Sequence, residues 1–293
     1  MLVNHKHGFS FTHIPKCGGT WVRRALLEHL EGTEEITFRS DRHIGIHASP
    51  AQYDELKCLV SVREPLSLYV SLFNHICRNM AWEYAQEWVG FSTRNISNGT
   101  QLSDTIFRSP LCYERRELFK EWLPKIVNLD LNDDCWGSLC MNDSGSTTKY
   151  IQFMKDHRPN FGWCTYTLIY NTVREWKDFI KNKDINDFFE HTNANFILKQ
   201  QSLAKDLTNF LMKHVGIDRE TAFKIGQHDA MNVKGRDVSI NEYYNDYYKH
   251  CDNLECLEWY TPELIQLVKE KESFMYQILE DEKVNEKFQY INC

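Results

Sequence analysis

Hydrophobic and polar residues alternate near the start of the chain and then change to a helical repeat. Phe9, Phe11 and His13 fall on one face of a two-residue repeat, which predicts a strand. The apolar residues that follow recur at helical spacing and predict an amphipathic helix: Trp21, Val22, Ala25, Leu26 and Leu30. The period changes across Pro15 to Thr20, so this segment is predicted to be a loop between the strand and the helix.

A second strand and helix are predicted over residues 58 to 73. Cys58 to Val62 is a short, mostly apolar run, which is typical of a strand buried on both faces. Arg63 and Glu64 end this run, and Pro65 suits the first position of a helix. The apolar residues that continue the helical pattern are Leu66, Tyr69, Val70 and Phe73.

The rest of the chain adds mainly helices to this pattern. The further predicted elements are a strand at Ile36 to Phe38, a helix capped by Ser49, helices at Glu114 to Leu123, Val173 to Lys181 and Ile185 to Glu190, a strand at Phe196 to Leu198, a helix from a Ser202 cap to Gly216, and a helix from Thr261 to about Leu279. Strands that alternate with helices indicate an α/β domain. We predict one domain over residues 1–293, with its core at about 8–78 and 165–293 and a mostly helical and irregular insertion at about 80–165.

Composition and charge exclude some classes of protein. Hydrophobic residues make up 42% and charged residues 26% of the 293 residues, which is typical of a globular protein. The sequence has no run of about 18 apolar residues to span a membrane, and the N-terminal segment MLVNHKHGF has no apolar core of signal-peptide type. The net charge of -7 argues against a general nucleic-acid-binding function.

The ten cysteines do not form a zinc-binding pattern. The two closest pairs each have four residues between them, and no CxxC motif occurs, so we predict no metal site. Cys17 lies inside the predicted loop, where Lys16 and the helix N-terminus are expected to lower its pKa and make the thiol sensitive to oxidation. The alternative is that Cys17 is a small packing residue.

The loop from Pro15 to Thr20 has the properties of an anion-binding site. Gly18 and Gly19 allow the backbone to approach a ligand closely, and the N–H groups at the start of the following helix favour negative charge. Lys16 adds a cation. The alternative is an ordinary strand-turn-helix in which the glycines only make the bend. In the G-x-x-x-x-G-K-[ST] loop of many ATP-binding proteins the lysine follows the glycines, whereas here Lys16 precedes them, which disfavours a kinase or an ATPase.

The order P-K-x-G-G-T closely resembles the 5'-phosphosulfate loop of sulfotransferases that use 3'-phosphoadenosine 5'-phosphosulfate (PAPS). The resemblance implies that the loop and the first helical residues bind this cofactor: Lys16, Cys17, Gly18, Gly19, Thr20 and Trp21. The spacing R-[DE]-P-x5-S, met by Arg63 and Ser71, resembles the 3'-phosphate site of the same family. Glu64 stands where Asp is the commoner family residue, which leaves Arg63 and Ser71 in place.

Two further segments resemble parts of the same family. The segment GIHASPAQYDEL resembles the glycine-x-His-Ala stretch of heparan sulfate 6-O-sulfotransferases, which implies that His47 is the catalytic base. His43, four residues earlier, is the alternative base. The segment HDAMNVKGR resembles the loop that closes over the nucleotide, which implies 3'-phosphate contacts from Lys234, Gly235 and Arg236. A solvated charged loop is the alternative reading of this segment.

The resemblance as a whole implies a sulfotransferase with a P-loop-like parallel sheet flanked by helices. The sulfuryl group would pass from PAPS to a hydroxyl, or as a second choice an amine, of a glycan or small-molecule acceptor, leaving adenosine 3',5'-bisphosphate. Lys16 would stabilise the leaving oxygen and His47 would take the acceptor's proton, without a metal. The alternatives are a non-catalytic module that binds 3'-phosphorylated nucleotides and a small-molecule kinase with an unusual loop.

Residues 80–165 are predicted to form the acceptor side of the site, because specificity must come from loops around a shared nucleotide site. The alternative is an insertion that has its own small apolar cluster. Aromatic and cationic side chains in this segment are suited to hold a sugar or another polar ring: Trp82, Trp88, Trp122, Trp136, Trp163, Arg94, Arg108, Arg115 and Arg116. Many carbohydrate sulfotransferases are anchored in the Golgi, so this chain is expected to be a cytosolic relative or a trimmed luminal domain. The short segment before the first strand favours the cytosolic form.

Overall fold

A mixed five-stranded sheet forms the centre of the computed structural model, which describes residues 1–36, 51–79, 112–130, 147–228 and 256–287. Its strands are β1 (Leu2–Asn4), β2 (Phe9–Thr12), β3 (Thr33–Glu35), β4 (Lys57–Val62) and β5 (Ala194–Lys199). They lie in the order β3-β1-β2-β4-β5. Strands β2, β4 and β5 are parallel, whereas β1 pairs antiparallel with β2 and β3.

Helices connect the strands and cover both faces of the sheet. In chain order they are α1 (Gly19–His29), α2 (Pro65–Asn79), α3 (Cys112–Val127), α4 (Thr147–His157), α5 (Trp163–Thr172), α6 (Trp176–Asn182), α7 (Phe188–His191), α8 (Leu203–Phe210), α9 (Arg219–Gly226), α10 (Pro262–Lys271) and α11 (Ser273–Glu280). None of the helices in this described part of the chain has the length and apolar character needed to cross a lipid bilayer.

The first face of the sheet packs against α1, α8 and α9. Phe9, Phe11 and Leu59 contribute the strand side chains, and Val22 and Leu26 contribute the apolar stripe of α1. All five of these side chains are fully buried. The period change predicted at the start of the chain is confirmed, because the strand and the helix place their apolar residues in one core.

The second face of the sheet packs against α2, α3, α5, α10 and α11. Val60 and Val62 point into this core, together with Phe73 of α2 and Trp122 of α3. The rings of Phe73 and Trp122 lie 5.3 Å apart between their centroids. Helix α3 of the predicted insertion therefore buries Phe119 and Trp122 in the core that it shares with α2.

The structure corrects several predicted elements. The sheet is mixed rather than parallel, because β1 and β3 add an antiparallel edge. Strand β1 was not predicted, and β3 was predicted three residues too late in the chain. Ser202 does not cap α8, because its hydroxyl donates to the carboxylate of Asp206 at 2.8 Å. The last predicted helix is two helices, α10 and α11, which are separated at Glu272. The cap predicted at Ser49 lies outside the described residues.

Candidate functional site

The loop between β2 and α1 has an unusual backbone conformation. Lys16 has a φ of 64° and Gly18 a φ of 86°, so both lie in the left-handed region. For a residue with a Cβ atom, this region costs roughly 1–2 kcal/mol. Helix α1 begins immediately after the loop, because the N–H groups of Trp21 and Val22 donate to the Gly18 carbonyl at 3.0 and 3.3 Å. Strained residues of this kind concentrate at ligand sites, so the loop remains the first candidate.

The two glycines of the loop are required by neighbouring side chains. A Cβ atom on Gly18 would lie 2.6 Å from Cδ2 of Leu203. A Cβ atom on Gly19 would lie 2.1 Å from Cδ2 of His13. Gly18 also has the left-handed conformation that favours glycine. The sequence offered two explanations of these glycines, the approach of a ligand and the bend between strand and helix. The structure shows a further one, the close approach of the protein's own side chains.

Arg63 connects the two predicted phosphate-binding segments. Its Nη1 donates to the carbonyl oxygen of Lys16 at 3.2 Å, and its Nε donates to Oγ of Ser67 at 2.9 Å. Strands β2 and β4 are adjacent and parallel, so the loop and Arg63 follow the same edge of the sheet. The structure thus places Arg63 against the loop, which is 47 residues earlier in the chain.

Ser67, rather than Ser71, is the serine that contacts Arg63 in the structure. The Ser67 hydroxyl also donates to the Glu64 carbonyl at 3.1 Å, so Ser67 holds the guanidinium close to the start of α2. Ser71 is half-buried and lies one helical turn beyond Ser67 on the same face of α2. Sequence reasoning missed Ser67, although its position four residues after Arg63 and four before Ser71 was a usable signal.

Glu64 caps helix α2. Its carboxylate oxygens accept hydrogen bonds from the N–H groups of Leu66 at 3.0 Å and Ser67 at 2.7 Å. The Tyr276 hydroxyl donates to the same carboxylate at 2.8 Å. Glu64 therefore performs a structural role at the N-terminus of α2, which is the place where Asp and similar residues are favoured.

Cys17 is a core residue, which confirms its interpretation as a small packing residue and contradicts that of an oxidation-sensitive thiol. The side chain is only 1% exposed and packs with Ile14 and Tyr69 in the second core. Burial raises the pKa of the Cys17 thiol to about 12, because the effect of desolvation exceeds the opposing effects of Arg63 and Lys16. Cys17 can therefore contribute only its backbone to a bound anion.

The N-terminus of α1 has the features of an anion site. Its N-cap residue is Gly18, which has no side chain to accept from the helix N–H groups, and its first turn contains no acidic residue. The Thr20 side chain is exposed in the first turn. Because the N-terminus of a helix carries partial positive charge, this position favours an anion. Trp21 has another contact, since its indole Nε1 donates to the carbonyl oxygen of His228 at 3.0 Å.

Several predicted site residues lie outside the described part of the chain. These are the two candidate bases and the three residues of the predicted closing loop: His43, His47, Lys234, Gly235 and Arg236. The same holds for Trp82, Trp88, Trp136, Arg94 and Arg108 of the predicted acceptor side.

Two of the tryptophans assigned to the acceptor side are buried in the core. Trp122 and Trp163 are both 0% exposed, so neither offers a ring face to a sugar. Their contribution is to packing, since the rings of both approach Tyr69 with centroids 6.5 Å apart. The prediction that these two residues bind an acceptor is wrong.

Sequence reasoning also missed His13. This residue directly follows β2, and its imidazole lies against Gly19, where it limits the position of the loop. The ring stacks with that of Phe11 at a centroid distance of 6.3 Å. The sequence did offer a signal, because His13 is a polar residue between the predicted strand and the predicted anion loop.

The described site therefore consists of a strained loop, a helix N-terminus that follows a glycine, and an arginine from the adjacent strand. Comparison of the chain with models of protein families, with characterised proteins and with solved structures found no match.

Proposed function

We propose that this protein is a PAPS-dependent sulfotransferase. The observation that carries the proposal is the contact between Arg63 and the carbonyl oxygen of Lys16, because it joins the two segments that resemble the cofactor site. Both segments follow parallel strands at their carboxyl ends. Open α/β sheets bind ligands at that edge.

The proposed cofactor carries an anionic group at each end of its ribose, and the site offers cationic groups for both. The loop and the N-terminus of α1 would bind the 5'-phosphosulfate, with Lys16 beside it. Arg63 would bind the 3'-phosphate, with Ser67 orienting its guanidinium and Ser71 further along the same helix face. Lys234, Gly235 and Arg236 are proposed as further 3'-phosphate contacts.

The proposed reaction is an in-line transfer of the sulfuryl group to a hydroxyl, or as a second choice an amine. Such a transfer depends mainly on positioning and on stabilisation of charge. Lys16 would stabilise the oxygen that leaves, and His47 would accept the proton of the acceptor. A general base commonly contributes 10² to 10⁴ in rate, or roughly 3 to 5 kcal/mol of barrier.

The proposal is tested by binding and by turnover. A sulfotransferase should bind adenosine 3',5'-bisphosphate much more tightly than ATP in calorimetry, and should transfer radiolabel from PAPS to some member of an acceptor panel. Tight binding without any transfer favours the non-catalytic nucleotide-binding module. Preference for ATP favours the kinase and contradicts the proposal. A glycan or small-molecule acceptor and a cytosolic location stay predictions.

The base is tested by paired variants. His47→Ala should lower turnover by about two to four orders of magnitude and leave nucleotide affinity unchanged. An ordinary histidine has a pKa of about 6.5, and a general base must be neutral to accept a proton. Wild-type activity should therefore rise with pH through that region, and the His47→Ala variant should lack this rise. His43→Ala is the matched control. If the two results are reversed, His43 is the base.

A further inference from the structure

Three potential metal ligands meet at the end of α1 that is remote from the anion loop. Glu28 and His29 lie in the last turn of this helix, and His228 follows α9. Nε2 of His29 lies 3.1 Å from Nδ1 of His228. Oε1 of Glu28 lies 3.7 Å from Nε2 of His29, and Oε2 of Glu28 lies 3.7 Å from Nδ1 of His228. One ligand atom from each residue therefore lies within 4.8 Å of the other two.

The two imidazole nitrogens have a separation suited to binding one metal ion. With metal–ligand distances of about 2.0 to 2.1 Å, neighbouring ligand atoms in a tetrahedral site are about 3.3 to 3.4 Å apart. The 3.1 Å between the two nitrogens is close to that value, and each nitrogen lies 3.7 Å from a different oxygen of the Glu28 carboxylate. Because the Glu28 side chain is exposed, it can turn to bring one oxygen to an ion held by both nitrogens.

Hydrogen bonding within the cluster leaves ligand capacity unused. One hydrogen bond serves the two facing ring nitrogens, so one of them donates and the other accepts. The Glu28 oxygens at 3.7 Å are beyond hydrogen-bond distance from both rings. A bound cation would instead use the lone pairs of both nitrogens and of the carboxylate. Two imidazoles and a carboxylate are a ligand set suited to zinc.

The surrounding structure holds the two histidines in place. The carbonyl oxygen of His228 accepts from Nε1 of Trp21 at 3.0 Å, and its N–H donates to the Ile225 carbonyl at 3.1 Å. The side chains of His29 and His228 are only 15% and 11% exposed, whereas that of Glu28 is 63% exposed and can adjust. The C-terminus of α1 also favours a cation, because helix carbonyl groups carry partial negative charge there.

We propose that Glu28, His29 and His228 bind one divalent transition-metal ion of the zinc class, with the fourth coordination position open to water. An α-helix rises about 1.5 Å per residue, so the ion would lie roughly 15 Å from the loop at the other end of α1. It therefore does not contact a ligand in the loop. The ion would instead link the end of α1 to His228, two residues after the end of α9. The proposal does not depend on the sulfotransferase function.

The test uses the untagged full chain, freed of metal with EDTA and dialysed. Titration with Co²⁺ should produce the strong visible absorption of a tetrahedral site at one ion per chain, and Zn²⁺ should displace it. His29→Gln and His228→Gln should each weaken Co²⁺ binding by at least about 10- to 100-fold. Losing a residue that only hydrogen-bonds to a metal ligand already has an effect in this range. His191→Gln, which changes an exposed histidine outside the cluster, should bind as the wild type does.

A fold control accompanies these variants. In EDTA their melting temperatures should match that of the wild type, and only the rise caused by Zn²⁺ should disappear. Glu28→Gln changes an exposed side chain and keeps the proposal testable if a histidine variant does not fold. Binding that survives the double variant H29Q/H228Q, or a wild type that takes up no Co²⁺ at roughly 100 µM, would overturn the proposal, since cellular transition-metal sites bind far more tightly.

Discussion

Helices α1 and α5 both begin after a glycine, but their N-termini have different partners. At α5 the N–H groups of Cys164 and Thr165 donate to the Glu272 carboxyl group at 2.9 and 2.8 Å. At α1 the N-cap residue is Gly18, which has no side chain, the first turn contains no acidic residue, and Arg63 donates to the carbonyl oxygen of Lys16 just before the helix. One helix N-terminus thus meets a buried carboxyl group of the protein, whereas the other follows a loop that carries cationic residues.

Burial accounts for the difference between the two sites. Glu272 is 0% exposed, and a Cβ atom on Gly162 would lie 2.2 Å from its carboxyl oxygen, so this site has no room for a ligand. Thr20 in the first turn of α1 is exposed to solvent. The comparison shows that burial closes the N-terminus of α5 to a ligand, whereas the first turn of α1 is accessible to solvent at Thr20.

The largest expected effect is the loss of stability in Glu272→Ala. The carboxyl group accepts from the Thr165 hydroxyl at 2.7 Å and from the Tyr69 hydroxyl, as well as from two backbone N–H groups. Their simultaneous loss should lower the free energy of unfolding by about 3 to 5 kcal/mol, which urea denaturation would measure. Nucleotide affinity of the folded fraction should stay unchanged, and a loss of affinity alone would contradict the assigned role.

The same carboxyl group should produce a pH dependence of stability. Burial raises the pKa of Glu272 above its ordinary value of 4.5, although hydrogen bonds from Tyr69 and Thr165 oppose this effect. The folded protein then keeps a proton that the unfolded chain has lost. Stability should therefore fall as pH rises from 4.5 through the raised pKa. Denaturation at a series of pH values should show a smaller decline in Glu272→Gln, and an equal decline would exclude this residue as the cause.

At the accessible site, the largest expected effect is that of Lys16→Ala on turnover. The ammonium group should matter more in the transition state than in the ground state. Loss of one charge-stabilising donor typically lowers kcat by about 10²–10³, or roughly 2.7 to 4 kcal/mol. Steady-state kinetics with PAPS would measure this, with the exposed Lys205→Ala as the control. Near-normal turnover in Lys16→Ala would show that the loop binds without catalysing.

Arg63→Ala should have a smaller effect, limited to the 3'-phosphate. Removal of a charge-assisted pair costs on the order of 1.5 to 3 kcal/mol. Calorimetry should show this loss for adenosine 3',5'-bisphosphate, while the affinity for adenosine 5'-phosphate barely changes. Arg219→Ala, which removes an exposed arginine of α9, is the matched control. Equal losses of affinity for both nucleotides would show that Arg63 does not bind the 3'-phosphate.

The smallest expected effects distinguish the two serines of α2. A single hydrogen bond contributes about 0.5 to 1.5 kcal/mol. If Ser71 contacts the 3'-phosphate, Ser71→Ala should weaken the binding of adenosine 3',5'-bisphosphate by that amount. Ser67→Ala should weaken the same binding indirectly, because Nε of Arg63 loses its hydrogen-bond acceptor. In the R63A background the effect of Ser67→Ala should vanish and that of Ser71→Ala should persist. This double-mutant cycle fails to support the assignment if both effects vanish.

Elements with a long apolar repeat were predictable, whereas short or competing signals were not. The stripe of α1 and the buried run of β4 each contain enough residues to identify their period. Strand β1 has only three residues, which is too short for a period, and it is stabilised by pairing of Val3 with Ser10. Ser202 is of a residue type that often caps helices, but its hydroxyl donates a hydrogen bond to the nearby Asp206 carboxylate and does not cap α8.

Local order along the chain was enough to identify the loop, the helix after it and the residue types suited to an anion, because these depend on neighbours within a few residues. Contacts between distant segments were decided by packing. Arg63 meets Lys16 across 47 residues, Glu272 meets Thr165 across 107 and His29 meets His228 across 199. Burial likewise decided the pKa of Cys17, against the effect of the adjacent Lys16, because desolvation depends on every side chain packed around the thiol.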